Sequence, residues 1–146
     1  MRWVRFELDG TACWGHLEEA TITVHSGGPW TPCRHATAER LPLESVALLA
    51  PCQPSKIICV GRNYAAHARE LGHAVPGAAA GEAPLLFMKP PSAVLAPDGA
   101  VVLPPQSRQV EHEGELAVVI GKRCRGLGAG EPVAPYILGY TCLNDV

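Results

Sequence analysis

Three acidic residues recur at every second position in Glu111-His112-Glu113-Gly114-Glu115, directly before the apolar stretch 116–120. In a β-strand the side chains alternate with period two, so Glu111, Glu113 and Glu115 share one face with Ala117 and Val119, while His112 points the other way. The Cα atoms of Glu113 and Glu115 are then about 7 Å apart, a separation at which two carboxylates clasp one cation. The wholly apolar continuation predicts a strand covered on both faces, and anions entering such a region must meet a cation or take up a proton. A hard divalent ion with oxygen ligands, Mg2+ or Mn2+, fits that donor set better than zinc. The same alternation also describes a solvated face where a strand leaves the surface.

A second constellation lies in Gly61-Arg62-Asn63-Tyr64-Ala65-Ala66-His67-Ala68-Arg69-Glu70. His67 and Glu70 are three residues apart on a predicted helix, where a carboxylate orients an imidazole and raises its basicity, as a water-activating general base requires. Tyr64, Ala68 and Leu71 mark the buried stripe of that helix. His67 sits at its edge, so a packing histidine or a bland surface pair reads equally from the spacing. Lys89 ends an apolar strand and is followed by Pro90-Pro91, which fix the backbone beyond it. It holds an ammonium at a strand end, as lysines that merely solvate a terminus also do. The glycines at 126, 128 and 130 lack both dinucleotide-binding spacing and a following helix, and Gly121-Lys122-Arg123 is no phosphate loop. His16, His25, His35 and His73 have no partner at metal or triad spacing and read as surface or packing residues.

The elements that must position these groups are mostly short strands. Residues 3–8, 13–17 and 21–25 alternate and are rich in β-branched and aromatic types, and Asp9-Gly10 between the first two is a hairpin signal. They predict a small β-meander. Residues 26–55 are broken by prolines and hold one clear apolar run, 46–49, which predicts a connector. Residues 57–60 read as a buried strand, with Asn63 as N-cap of a helix over 64–71 and Gly72 as its C′ residue. Strands follow at 85–88, 101–103, 110–120 and 136–143, giving a mainly β, α+β domain.

Composition narrows the function classes. The 146 residues carry 12 Lys+Arg against 14 Asp+Glu, a net charge of −2 without clustering, which argues against nucleic acid and an anionic membrane as partners. A hydrophobic share of 47% with mean hydropathy +0.09 is enough for a core, and 18% charged residues is too few for a disordered chain. The 15 glycines and 14 prolines favour turns and short strands over an α-bundle. Six cysteines without a CxxC pair give neither a zinc ribbon nor a thioredoxin motif, and the charged N-terminus lacks a signal peptide's apolar stretch. A reduced, cytoplasmic protein is expected, with the cysteines as small core residues.

Taken together, four stretches carry a resemblance. Lys56-Ile57-Ile58-Cys59-Val60-Gly61-Arg62-Asn63-Tyr64 with His67 and Glu70, then Leu86-Phe87-Met88-Lys89-Pro90, then His112-Glu113-Gly114-Glu115-Leu116, then Gly139-Tyr140-Thr141-Cys142-Leu143-Asn144-Asp145-Val146, resemble the fumarylacetoacetate hydrolase family, in its acylpyruvase-like bacterial branch. The resemblance covers residues 54–146, the N-terminal half of the catalytic domain. Residues 1–50 look like the small β domain with connector that precedes it in many bacterial members. It implies a mixed β-roll, incomplete at the C-terminus, and a Mg2+ or Mn2+ ion held by Glu113, Glu115 and Asp145. It further implies His67 and Glu70 orienting water, Lys89 as an active-site lysine, a 2-oxo or diketo acid substrate, and a homodimer of the full-length protein.

Family sequences run on past the aspartate into further substrate-binding residues, whereas this sequence stops inside a strand-like run, so it reads as cut in mid-domain. The function expected is metal-dependent hydrolysis of a carbon–carbon bond in an acylpyruvate- or fumarylacetoacetate-type acid. Isomerisation and oxaloacetate-type decarboxylation by the same enolate chemistry are alternatives. A non-catalytic fragment or interaction module is a third.

Overall fold

The computed structural model describes residues 1–70, 72 and 83–146. Its fold is α+β and mainly β, and the chain forms two compact units: Met1–Pro51 with Leu95–Val146, and Cys52–Val94.

The N-terminal meander forms as its alternation predicts. Strands β1 (Arg2–Leu8), β2 (Thr11–Glu18) and β3 (Thr21–His25) pair antiparallel in sequence order. Asp9 and Gly10 both take positive φ, 49° and 73°, the pair of left-handed residues that a tight hairpin turn demands. Alternate residues face the core: Phe6 and Ile22 are fully buried and Val24 nearly so, packed with Val4, Leu17, Leu41 and Leu48. Burying each of these side chains contributes about 1.5–3 kcal/mol. Gly15 lies under the Phe6 ring, where a Cβ would overlap Ile22 Cγ2 and come within 2.7 Å of the Thr23 carbonyl oxygen.

The connector expected over 26–55 holds two more strands, β4 (Ala36–Pro42) and β5 (Ala47–Leu49), completing a five-stranded sheet of order β4-β3-β2-β1-β5. β4 is an edge strand that contributes Leu41 to the core, so its polar sequence carries little periodic signal. Its pairing with β3 is irregular between Thr23 and His25, where the Thr37 hydroxyl donates to the Val24 carbonyl at 3.0 Å.

In the second unit, β6 (Ile57–Gly61) pairs antiparallel with β7 (Leu85–Lys89), and α1 (Ala65–Glu70) follows β6. The helix starts one residue after Tyr64, and Gly72 has φ 69° and donates its N–H to the Arg69 carbonyl at 3.0 Å, closing the helix as a left-handed glycine does. Ala68 is buried, as the stripe predicts, but Tyr64 is exposed, and Leu71 lies outside the described residues, as does His73.

Residues 101–103 are not a strand. They are exposed and have no ladder partner among the described residues. Strand β8 (Gly114–Ile120) pairs antiparallel with β9 (Ile137–Asn144). Glu115, Ala117 and Val119 share the half-covered face as expected, while Leu116, Val118 and Ile120 are exposed, so the strand is not covered on both faces in this chain.

Candidate active site

The hairpin β8–β9 places the acidic residues. β8 begins at Gly114 rather than at residue 110, so Glu111, His112 and Glu113 precede the ladder and only Glu115 lies within it. The ladder ends here because a side chain takes over: Asn144 Oδ1 accepts the Glu113 N–H at 2.8 Å, and the Asp145 N–H donates to the Glu113 carbonyl at 2.8 Å. Glu113 and Asp145 are thereby tied backbone to backbone across the hairpin. Glu115 stands two residues on, opposite Leu143. Asp145 and Glu115 are half-buried and Glu113 is exposed.

Three carboxylates at one end of one hairpin are a donor set suited in kind to a hard divalent cation. Their side chains do not converge: among the described residues no group of three or more His, Cys, Asp or Glu is placed to hold a metal ion. The backbone therefore sets the three positions without bringing the side chains together.

In the other unit, α1 brings His67 and Glu70 together. The Nδ1 to Oε2 distance is 3.7 Å, with both side chains more than half exposed. That is ion-pair reach but too long for a direct hydrogen bond. Lys89 is the last residue of β7, half-buried, opposite Ile57 in register, and the Pro90-Pro91 step leads directly into a 3-10 turn over Pro91–Ala93.

Two residues gain importance beyond the sequence reading. Asn144 positions Glu113, and its signal is a short amide side chain beside an acid at a strand end. Arg62 has φ 56° at the bend from β6 to α1, a left-handed conformation that costs a non-glycine residue energy and recurs where function fixes the backbone. As for the thiols, Cys13, Cys33, Cys124 and Cys142 are free, and burial pushes the Cys13 thiol up, with Glu39 and Asp9 adding to the shift. Cys13 is thus kept as a thiol and not as a nucleophile.

Residues 56–146 match the fumarylacetoacetate (FAA) hydrolase C-terminal domain, and residues 1–51 match the family described as Rv2993c-like, N-terminal. The chain belongs to the fumarylacetoacetate hydrolase family. An uncharacterised protein of Archaeoglobus fulgidus is 52% identical over 106 residues, 73% of this chain and 40% of that protein. The mitochondrial oxaloacetate tautomerase FAHD2A of Bos taurus is 40% identical over 132 residues, 88% of this chain and 38% of that one. Among solved structures, the 5-carboxymethyl-2-hydroxymuconate delta-isomerase from Mycobacterium smegmatis is similar with a TM-score of 0.81 at 36% identity, over 99% of this chain and 54% of that one. This family member thus spans about two-fifths of the length of these curated relatives and about half of the solved one. No described helix is long and apolar enough to cross a membrane.

Proposed function

We propose that this chain carries the ion-holding and water-orienting residues of an enzyme that cleaves a carbon–carbon bond in a 2-oxo or diketo acid by hydrolysis. The observation that carries the reading is the pair of bonds tying Glu113 to Asn144 and Asp145, which fixes two acids of the set side by side at the end of β8–β9. Mg2+ or Mn2+, held by Glu113, Glu115 and Asp145, would supply Lewis-acid stabilisation of negative charge developing on the substrate oxygens.

The remaining work falls to the chain's own residues. Glu70 faces Nδ1 of His67 at ion-pair reach and, brought to hydrogen-bond distance, would favour the tautomer protonated there, with Nε2 to take a proton from water. Lys89, anchored by β7 and the following prolines, offers a fixed cation to an anionic substrate. Homodimerisation of the full-length protein and a cytoplasmic location belong to the same proposal.

A second reading is tautomerisation or isomerisation of the same substrate class. It is favoured by the names of two relatives, an oxaloacetate tautomerase and a delta-isomerase. Both readings need an acidic ion site, so calorimetric titration with Mn2+ tests their common ground. Binding is expected for the chain and lost in Glu115→Gln and in Asp145→Asn. Equal affinity in the parent and both variants would remove the metal assignment and leave the interaction-module alternative.

A further inference from the structure

The face of the N-terminal sheet opposite the core carries a cluster that the proposed chemistry does not use. Trp3 stands opposite His16 in register, and His25 opposite Trp14, so these side chains share one face. Their rings touch: Trp3 to His16 at 4.0 Å between centroids, Trp3 to His25 at 4.8 Å, and His16 to His25 at 4.4 Å. The segment 26–35, which joins β3 to β4, is strapped onto this face. Its neck is closed by the Ser26 N–H donating to the His35 carbonyl at 3.0 Å and the His35 N–H donating to Ser26 Oγ at 3.1 Å. Trp30 meets Trp14 edge-on at 4.8 Å, and the Arg34 guanidinium lies 5.4 Å from the Trp3 ring centre, within cation–π reach.

Nε2 of His16 and both ring nitrogens of His25 are shielded from solvent and have no hydrogen-bond partner among the described residues. A neutral imidazole tolerates such a site better than an imidazolium, which must be solvated or paired. We propose that the His16–His25 pair is a proton-operated latch for the 26–35 strap, closed through Arg34 on Trp3 while both rings are neutral and released when either is protonated.

The charges around the pair favour release. Arg34 and His35 from the strap and Arg40 from β4 face His25, while the N-terminal amine and Arg34 face His16; Glu18 on β2 pulls the other way. Burial, then these neighbours, holds both rings below the ordinary 6.5. The closed form therefore binds protons less readily than the released one. Its stability is fully present above pH 6.5 and is lost as pH falls through the depressed values.

All three tryptophans, Trp3, Trp14 and Trp30, lie at this face, so their emission in the 146-residue chain reports on the strap. The titrant is the proton alone. Lowering the pH should give a reversible, sigmoidal loss of emission and greater acrylamide access, with a midpoint below 6.5 and an unchanged sheet signal in circular dichroism. Arg40→Gln, which leaves the Arg34 contact on Trp3 in place, should move the midpoint downward because the closed form then holds a protonated His25 at less cost, and the double variant His16→Gln/His25→Gln should lose the transition. Should the double variant not fold, the Arg40→Gln shift decides. A midpoint at or above 6.5, one unmoved or raised by Arg40→Gln, an irreversible change, or one coincident with loss of the sheet signal overturns the latch.

Discussion

The side-chain oxygen of Asn144 accepts the backbone N–H of Glu113 at 2.8 Å, joining the residue before one strand to the last residue of its partner. A side chain thus does what the next ladder bond would have done. It leaves Glu113 and Asp145 as neighbours held by a second bond between their own backbones. This clasp governs where two of the three proposed ligands start, before any rotamer is chosen.

The first prediction follows from that clasp. Asn144→Ala deletes the acceptor while leaving every carboxylate in place, so Mn2+ affinity should fall by roughly 10–100-fold, as it does when partners that orient ligands are removed. Calorimetry reads this directly. Undiminished affinity would mean that the hairpin end is held without the amide and that Asn144 does no positioning.

His67 separates the two chemical readings. If its Nε2 activates water, His67→Ala should lower hydrolysis of an acylpyruvate by roughly 10²–10⁴-fold in the full-length enzyme. Oxaloacetate tautomerisation, which consumes no water, should fall less, and Mn2+ affinity should stay the same. Equal loss of both activities would move His67 from water activation to substrate positioning.

Much of this arrangement is legible in the sequence where the determinants are local. Asp9-Gly10 announces the first hairpin, Gly72 the helix end, and the spacing of His67 and Glu70 their meeting on α1. What escapes is set by partners distant in the chain. β4 is a strand because β3 offers it an edge, not because its own residues alternate. Residues 101–103 have strand composition without a neighbour to pair with among the described residues. The start of β8 depends on an amide about thirty residues away in sequence. The meeting of His16 with His25 is an intermediate case: the turn at Glu19-Ala20, with Glu19 at φ 51°, puts His16 opposite Thr23 and so diagonal to His25. A reader who recognised that turn would have placed both rings on one face.

The sheet core supplies a stability test independent of chemistry. Gly15→Ala would drive a methyl into Ile22 Cγ2 and to within 3.3 Å of the Phe6 ring, in a place with no room to yield. Overpacking of this kind costs about 1–3 kcal/mol. Urea unfolding followed by tryptophan emission should show a lower midpoint with an unchanged slope. A midpoint equal to that of the parent would show that Ile22 and the Thr23 backbone can shift aside at no cost.

The last prediction concerns the strands beyond that sheet. On β8–β9 the outer face presents Leu116 at 61% exposure, Ile120 at 59% and Tyr140 at 64%, with Val118 opposite Tyr140 between them. β6–β7 likewise exposes Ile58 beside Met88 and Val60 beside Leu86. Each is a two-stranded ribbon with a contiguous apolar face, and such faces in water drive association, helped by strand edges open to a further strand. The 146-residue chain should therefore self-associate as its concentration rises. Replacing Leu116 and Tyr140 by lysine should reduce the association, because two like charges on one face oppose its burial, while the N-terminal sheet keeps its tryptophan signal. Sedimentation velocity across a concentration series reads the outcome. A parent chain that stays monomeric throughout would show that these faces find cover within the chain itself.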